Sequence, residues 1–230
     1  MKTIGLLGGM SWESTVTYYT RINQLVNQQL GGLHSAKIKL ASVDFEVIEK
    51  QQLNDQWEKS GELLGQEAQR LEQAGADFLV ICTNTMHKVA PQIAEHLTIP
   101  ILHIAEATIE ELKEQKLTKV ALLGTKYTMT QMFYKQKIID SGIDVWIPSE
   151  SDIELVNQII FAELCQGKIL AESKKAFLNV IAKAIEAGAE GVILGCTEIG
   201  LLIQQRDVAI PVFDTTEIHS HKAVQRALAE

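Results

Sequence analysis

The stretch Gly188-Ala-Glu-Gly-Val-Ile-Leu-Gly-Cys-Thr-Glu198 decides how the chain is read, because it repeats Gly75-Ala-Asp-Phe-Leu-Val-Ile-Cys-Thr-Asn-Thr85 at an offset of 113 residues. Each copy is a turn, then a short apolar run of strand type, then small polar residues where a parallel strand ends and a helix begins. Open α/β sheets hold their chemistry at such carboxyl ends. Without a gap, the copies pair Thr83 with Cys196, Asn84 with Thr197 and Thr85 with Glu198. Two related loops are therefore expected to face one site.

Two more segments repeat in the same order. Val120 to Thr125 resembles Ile4 to Gly9 at an offset of 116, and Ile210 to Phe213 resembles Ile99 to Leu102 at 111. Three matches at nearly constant offset predict two copies of one α/β unit. The expected fold is a pair of pseudo-symmetric three-layer α/β domains with mainly parallel sheets and an active site in the cleft between them. Residues 1–113 form the first domain, 114–214 the second, and a C-terminal helix over 215–230 returns to the first. The charged segment around Glu111 to Leu117 reads as the joining hinge.

Composition narrows the function. At 230 residues, 46% hydrophobic and 22% charged, the chain can bury a substantial core. A formal charge of −8 argues against nucleic acid or an anionic membrane as a partner and leaves a small molecule. Cys82, Cys165 and Cys196 are odd in number and lack metal-ligand spacing, which points to a reducing cytoplasm rather than a disulfide framework. No apolar run approaches the ~18 residues of a membrane span, and the first residues lead into a strand rather than a signal segment. His87, His103 and His219 are not at metal spacing either, so no metal is expected.

The chain opens with a strand into Gly8-Gly9-Met10-Ser11, then a helix over about 13–29 that Ser11 can cap. The glycines suit either a carboxylate-binding loop or a plain tight turn. Neither the Walker loop nor the dinucleotide fingerprint is present. Lys37 to Asp44 reads as a second strand. Asp44 to Gln52 reads as a polar strand end, within reach of the site or simply solvated. Trp57 to Gln73 reads as a helix with Leu63, Leu64, Ala68 and Leu71 on its apolar face. A helix over Ile153 to Cys165 follows in the second half.

Matched groups on opposite sides of a small substrate suit racemisation, in which a base takes a proton from one face of a carbon and an acid returns one to the other. A cysteine, with a pKa of about 8.5, can be tuned for either task, and a helix N-terminus or a nearby cation favours its thiolate. Threonine cannot ionise comparably.

Gly5-Leu6-Leu7-Gly8-Gly9-Met10, Thr83-Asn84-Thr85 with His87, and Gly195-Cys196-Thr197-Glu198 together resemble the aspartate/glutamate racemase family, over essentially the whole chain. That cofactor-independent group also includes maleate isomerase, hydantoin racemase and arylmalonate decarboxylase relatives. The resemblance implies frequent dimers and two thiols flanking the substrate α-carbon, without pyridoxal phosphate or metal. It makes Cys196 the base for an L-amino acid. It also makes Asn84, Thr85 and Thr197 binders of the α-carboxylate and ammonium, although all three could merely cap helices. Glu198 could orient a neighbour, bind the ammonium or favour the helix dipole. Thr125, equivalent to Gly9 in the repeat, can add a hydrogen bond to substrate, and Met10 and Gln52 complete the expected binding set.

This sequence departs from the family at Thr83, which stands where the first catalytic cysteine belongs. Cys82 sits one residue early, and strand alternation turns it away from the cleft, as a small core residue. Thr83 is then expected to hydrogen-bond substrate or relay a proton through water. Cys165 and Gln52 stand where relatives carry side-chain cations, which loosens dicarboxylate specificity. The expected function is cofactor-independent racemisation of a free amino acid, L-aspartate or L-glutamate first, by a cytoplasmic homodimer. A related isomerase or decarboxylase, or a weakened amino-acid-binding protein, is the alternative.

Overall fold

Short runs rich in β-branched and leucine residues form the strands, with glycine at the ends of β1, β5 and β7, and the helices between them carry apolar positions at helical spacing. The computed structural model describes residues 1–229. In chain order these begin with β1 (Ile4–Gly8), α1 (Trp12–Leu30), β2 (Ile38–Ser42), α2 (Phe45–Leu53), α3 (Trp57–Gln73), β3 (Phe78–Ile81), α4 (Ala90–Ala94) and β4 (Ile101–Leu102). The second half continues with α5 (Ile104–Glu114), β5 (Lys119–Gly124), α6 (Lys126–Thr130), α7 (Met132–Asp140), β6 (Asp144–Trp146) and α8 (Glu150–Ala162). It ends with α9 (Ala171–Glu186), β7 (Gly191–Gly195), α10 (Ile199–Leu202), β8 (Val212–Asp214) and α11 (Thr215–Leu228). Two four-stranded sheets result, ordered β2-β1-β3-β4 and β6-β5-β7-β8, with every pair parallel. The second order is the first advanced by four strands, as the repeat requires.

The chain divides into compact units, Met1–Ile104 with the stretch from His219 onward, and Ala105–Ile218. It passes from one to the other inside α5 and again inside α11. In the first unit, Ile4, Leu6, Phe78, Val80 and Cys82 form one sheet face against Tyr18, Ile22, Leu25 and Val26 of α1 and Ala223, Val224 and Ala227 of α11. Helix α3 packs against β1, β2 and β3. In the second unit, Ala121, Leu123, Val192, Leu194 and Cys196 share a core with α8 and α9, including Ile160, Phe177 and Ile181. Each fully buried Leu, Ile or Phe contributes about 1.5–3 kcal/mol relative to exposure.

Local chemistry sets the boundaries. Ser11 accepts from the Ser14 amide and starts α1 one residue earlier than expected, while Gly31 (φ 73°) ends it. The polar strand end expected over Asp44 to Gln52 is instead α2: Asp44 Oδ1 accepts from the Glu46 amide, and Ile48 and Gln52 are buried one turn apart. β2 is correspondingly shorter than predicted. On α3, Leu63 lies half-buried at the margin of the apolar face. Gly61 and Gly65 occupy the buried side, where a Cβ would meet Gln92 at 2.9 Å and His96 at 2.2 Å. These two glycines let the chain around α4 approach closely, at a helix-propensity cost of ~1 kcal/mol each. Helix α8 starts at Glu150, capped by Ser149, and stops before Cys165, which lies in a 3-10 turn closed by Gly167 (φ 70°). Most of the expected hinge over Glu111 to Leu117 is the end of α5. Among the described residues, no helix is long and apolar enough to cross a membrane, and no group of three or more His, Cys, Asp or Glu could hold a metal.

Candidate active site

Parallel pairing brings the carboxyl ends of each sheet to one edge. In the first unit, Gly8 at the end of β1 and the Thr83 loop after β3 share that edge, since Leu7 and Ile81 are register partners. The glycine turn is closed by its own chain: the Gly9 amide donates to Thr15 Oγ1 at 2.9 Å, and Gly8 O accepts from the Val43 amide. Gly9 has φ +89°, and a Cβ there would stand 2.2 Å from the Val43 carbonyl oxygen. The turn therefore meets the tight-turn reading, and its Gly9 amide is engaged within the protein.

Met10 is buried beside that turn. Asn84 and Thr85 are buried at the start of the 3-10 turn Thr85–Val89, and Asn84 does not cap it. Helix α2 brings Gln52 to the same loop, where its Nε2 donates to Met86 Sδ at 2.9 Å. Thr83 is half-buried. Cys82 belongs to the α1-side core with Phe78 and Val80, and burial pushes its thiol well up. Strand alternation explains this placement of Cys82 and puts Thr83 in register with the opposite face.

In the second unit, β5 and β7 run in register to Gly124 and Gly195, so Thr125 and Cys196 leave the sheet side by side. The close approach needs glycine, because a Cβ on Gly124 would meet Gly195 O at 2.7 Å. Thr125 caps α6, accepting from the Thr128 amide. Cys196 Sγ donates to Glu198 Oε2 at 3.0 Å, and Thr197 Oγ1 donates to the same oxygen at 2.8 Å. All three residues are at most 7% exposed. Burial raises the Cys196 pKa well above that of an ordinary thiol, and the Glu198 carboxylate and the Cys165 thiol add to the rise. Of the two directions of tuning open to a cysteine, the surroundings of Cys196 favour the neutral thiol. The thiol rests protonated, with a carboxylate as its hydrogen-bond acceptor.

The structure thus gathers Met10, Gln52, Thr83, Asn84 and Thr85 at one sheet edge, and Thr125, Cys196, Thr197 and Glu198 at the corresponding edge of the other unit. His87, His103 and His219, read singly in the sequence, come together as an imidazole cluster beside Thr83. His87 Nδ1 lies 2.8 Å from Thr83 O, and His219 Nδ1 lies 2.9 Å from the Tyr18 hydroxyl. Only the four-residue step from Thr83 to His87, one helical turn, was visible in the chain.

Two matched α/β units, one of them with a carboxylate-paired thiol at the end of its third strand, define an α/β protein with reactive groups at the carboxyl ends of its strands. The chain is a member of the Asp/Glu/Hydantoin racemase family, whose model matches residues 7–223. A candidate Asp/Glu racemase from Yersinia pestis is 51% identical, with each chain fully covered and a TM-score of 0.93. An aspartate racemase homologue from Pyrococcus horikoshii is 36% identical, also with full coverage of both chains, at a TM-score of 0.87. A broad specificity amino-acid racemase from Bacillus subtilis is 28% identical over 162 residues, 70% of each protein.

Proposed function

We propose that the protein racemises a free amino acid, L-aspartate or L-glutamate first, with Cys196 as the base for the L-form and Thr83 serving the other face of the α-carbon. The observation that carries this reading is the Cys196 thiol donating to the Glu198 carboxylate at 3.0 Å inside the matched family span. Glu198 takes the thiol proton, and the thiolate then takes the α-proton. The electron pair released from the Cα–H bond delocalises into the substrate carboxylate. Substrate ammonium near Glu198 offsets the charge that holds the thiol protonated, so ionisation is favoured only when substrate is bound. Asn84, Thr85 and Thr197 hold the α-carboxylate and ammonium, with Met10, Gln52 and Thr125 completing the pocket.

Reprotonation by Cys196 from the same face, after its thiol hydrogen has exchanged with solvent, gives exchange without inversion. Delivery from the other side, by Thr83 or a water it holds, gives the D-form. The Thr83 hydroxyl is too weak an acid to form the base that the D-form needs, so the L-form exchanges its α-proton faster than the D-form, while inversion, whose equilibrium constant is one, is slow to the same degree from either enantiomer. The broad specificity of the Bacillus relative favours keeping other polar amino acids within the substrate range. A homodimer in a reducing cytoplasm is part of the same reading, supported by the family resemblance and three free cysteines.

The test is incubation of protein dialysed against chelator with each enantiomer of a set of amino acids in D₂O. NMR follows the α-proton, and chiral chromatography follows inversion. L-aspartate or L-glutamate should lose its α-proton, and Cys196→Ser should slow this by about a hundredfold or more. Absence of exchange with every amino acid would leave a binding protein. Full exchange in Cys196→Ser would move the base elsewhere.

A further inference from the structure

Behind Thr83, in the first unit, lies a cluster of imidazoles that the proposed chemistry does not use. His87 and His219 are buried, with ring centroids 5.9 Å apart, and His103 lies 4.5 Å from His87. The partners of His87 define its protonation. Nδ1 lies 2.8 Å from the Thr83 carbonyl, which can only accept, so Nδ1 carries the hydrogen. Nε2 receives the Ile104 amide at 3.2 Å, so Nε2 carries the lone pair. His219 has the opposite tautomer: Nε2 donates to Leu102 O at 2.8 Å and Nδ1 accepts from the Tyr18 hydroxyl at 2.9 Å. Two neutral imidazoles thus tie the loop after β3 to the chain after β4, and that chain to α1 and α11.

We infer that His87 is a positioning residue for the racemase reaction: as a neutral, Nδ1-protonated strut between the Thr83 carbonyl and the Ile104 amide, it holds Thr83 where a proton can be delivered to the second face of the substrate. Thr83 lies between the end of β3 at Ile81 and the 3-10 turn that begins at Thr85, with its amide donating to Ile81 O at 3.0 Å and its carbonyl accepting from His87. Its carbonyl bond to His87 sets the peptide plane that carries the side chain. The hydrogen bonds of His87 hold Thr83, on the inversion side of the proposed chemistry, so its loss should weigh on inversion more than on exchange. A misplacement of about 1 Å at a reacting group can cost up to about a hundredfold. This inference rests on the racemase reading above.

The test separates the two. For L-substrate, His87→Leu, which removes both hydrogen bonds, should lower inversion about tenfold or more relative to α-proton exchange. His87→Asn, whose amide nitrogen can reach the Thr83 carbonyl from about the place of Nδ1, should recover most of the ratio. A His87→Leu protein that folds and keeps the unmodified ratio, or loses both rates equally, overturns the positioning role. Nitrogen-15 imidazole NMR on the unmodified protein provides a readout that needs neither a variant nor activity. His87 should remain the Nδ1-protonated neutral tautomer from about pH 5 to about pH 8, where a free histidine would titrate. An Nε2-protonated or titrating His87 overturns the strut even if racemisation is observed. If the unmodified protein exchanges no α-proton, the racemase reading fails and takes the positioning role with it, while the tautomer still reports whether the strut exists.

Discussion

Cys196 and Glu198 pull against each other in the free protein. A carboxylate beside a thiol disfavours a second negative charge, and burial disfavours it further, so the thiol is held well above its ordinary pKa. The same carboxylate is the nearest acceptor for the proton that must leave. Glu198→Gln should therefore split two properties that usually move together. Alkylation of Cys196 by iodoacetamide, measured against pH in a Cys165→Ser background, should have its midpoint shifted downwards, because the repelling charge is gone. Turnover should nevertheless fall about a hundredfold or more, because the proton acceptor is gone as well. An upward or absent shift in alkylation would mean that Glu198 does not face the thiol as an anion. Cys82, sealed among Phe78, Val80 and α1, should stay unreactive in both proteins.

Among the elements, α11 shows how a buried histidine within an apolar face can help tie a helix to the fold. Ala223, Val224 and Ala227 pack on the first unit's sheet, and His219 of the same helix joins Tyr18 of α1 to the Leu102 carbonyl at the end of β4. Burial lowers the His219 pKa from 6.5 to about 4, and it lowers that of His87 as well. A histidine with a depressed folded pKa binds its proton more readily in the unfolded chain. Its contribution is therefore complete above about pH 6.5 and is lost as pH falls towards about 4, worth about 3 kcal/mol for His219. Urea unfolding between these pH values should show stability falling with acidity. His219→Gln can keep both hydrogen bonds without titrating, so it should flatten part of that slope. An unchanged slope would place the acid sensitivity in other groups.

At the level of the whole molecule, duplication built the same strand order twice, but only one copy carries a thiol at its focal position. The two loops are proposed to serve one substrate, and Thr83→Cys asks whether they do. A thiol at position 83 should raise α-proton exchange from the D-amino acid by about tenfold or more, and should bring inversion of the L-form closer to its exchange. The measurement is again NMR of the α-proton beside chiral chromatography. Equal exchange of both enantiomers by the unmodified protein, unaffected by Thr83→Cys, would show that another group serves the second face.

The duplicated α/β pattern was legible in the chain because strand runs, glycine punctuation and their spacing are local properties that the backbone obeys wherever it folds. The core placement of Cys82 was legible for the same reason, since alternation along a strand has period two. α2 was missed as a helix because its segment is short and largely polar; the Asp44 cap and the burial of Ile48 and Gln52 supply what periodicity did not. Three things were decided only by tertiary structure: the raised pKa of Cys196, the closure of the glycine turn on Thr15 and Val43, and the His87 strut under Thr83. Each depends on how deeply groups are buried and on which partners meet. The partners of His87, for example, stand 4 and 17 residues away, and those of His219 stand 201 and 117. Desolvation and hydrogen bonding act through space, so a linear chain states which residues are available for them but not which will meet.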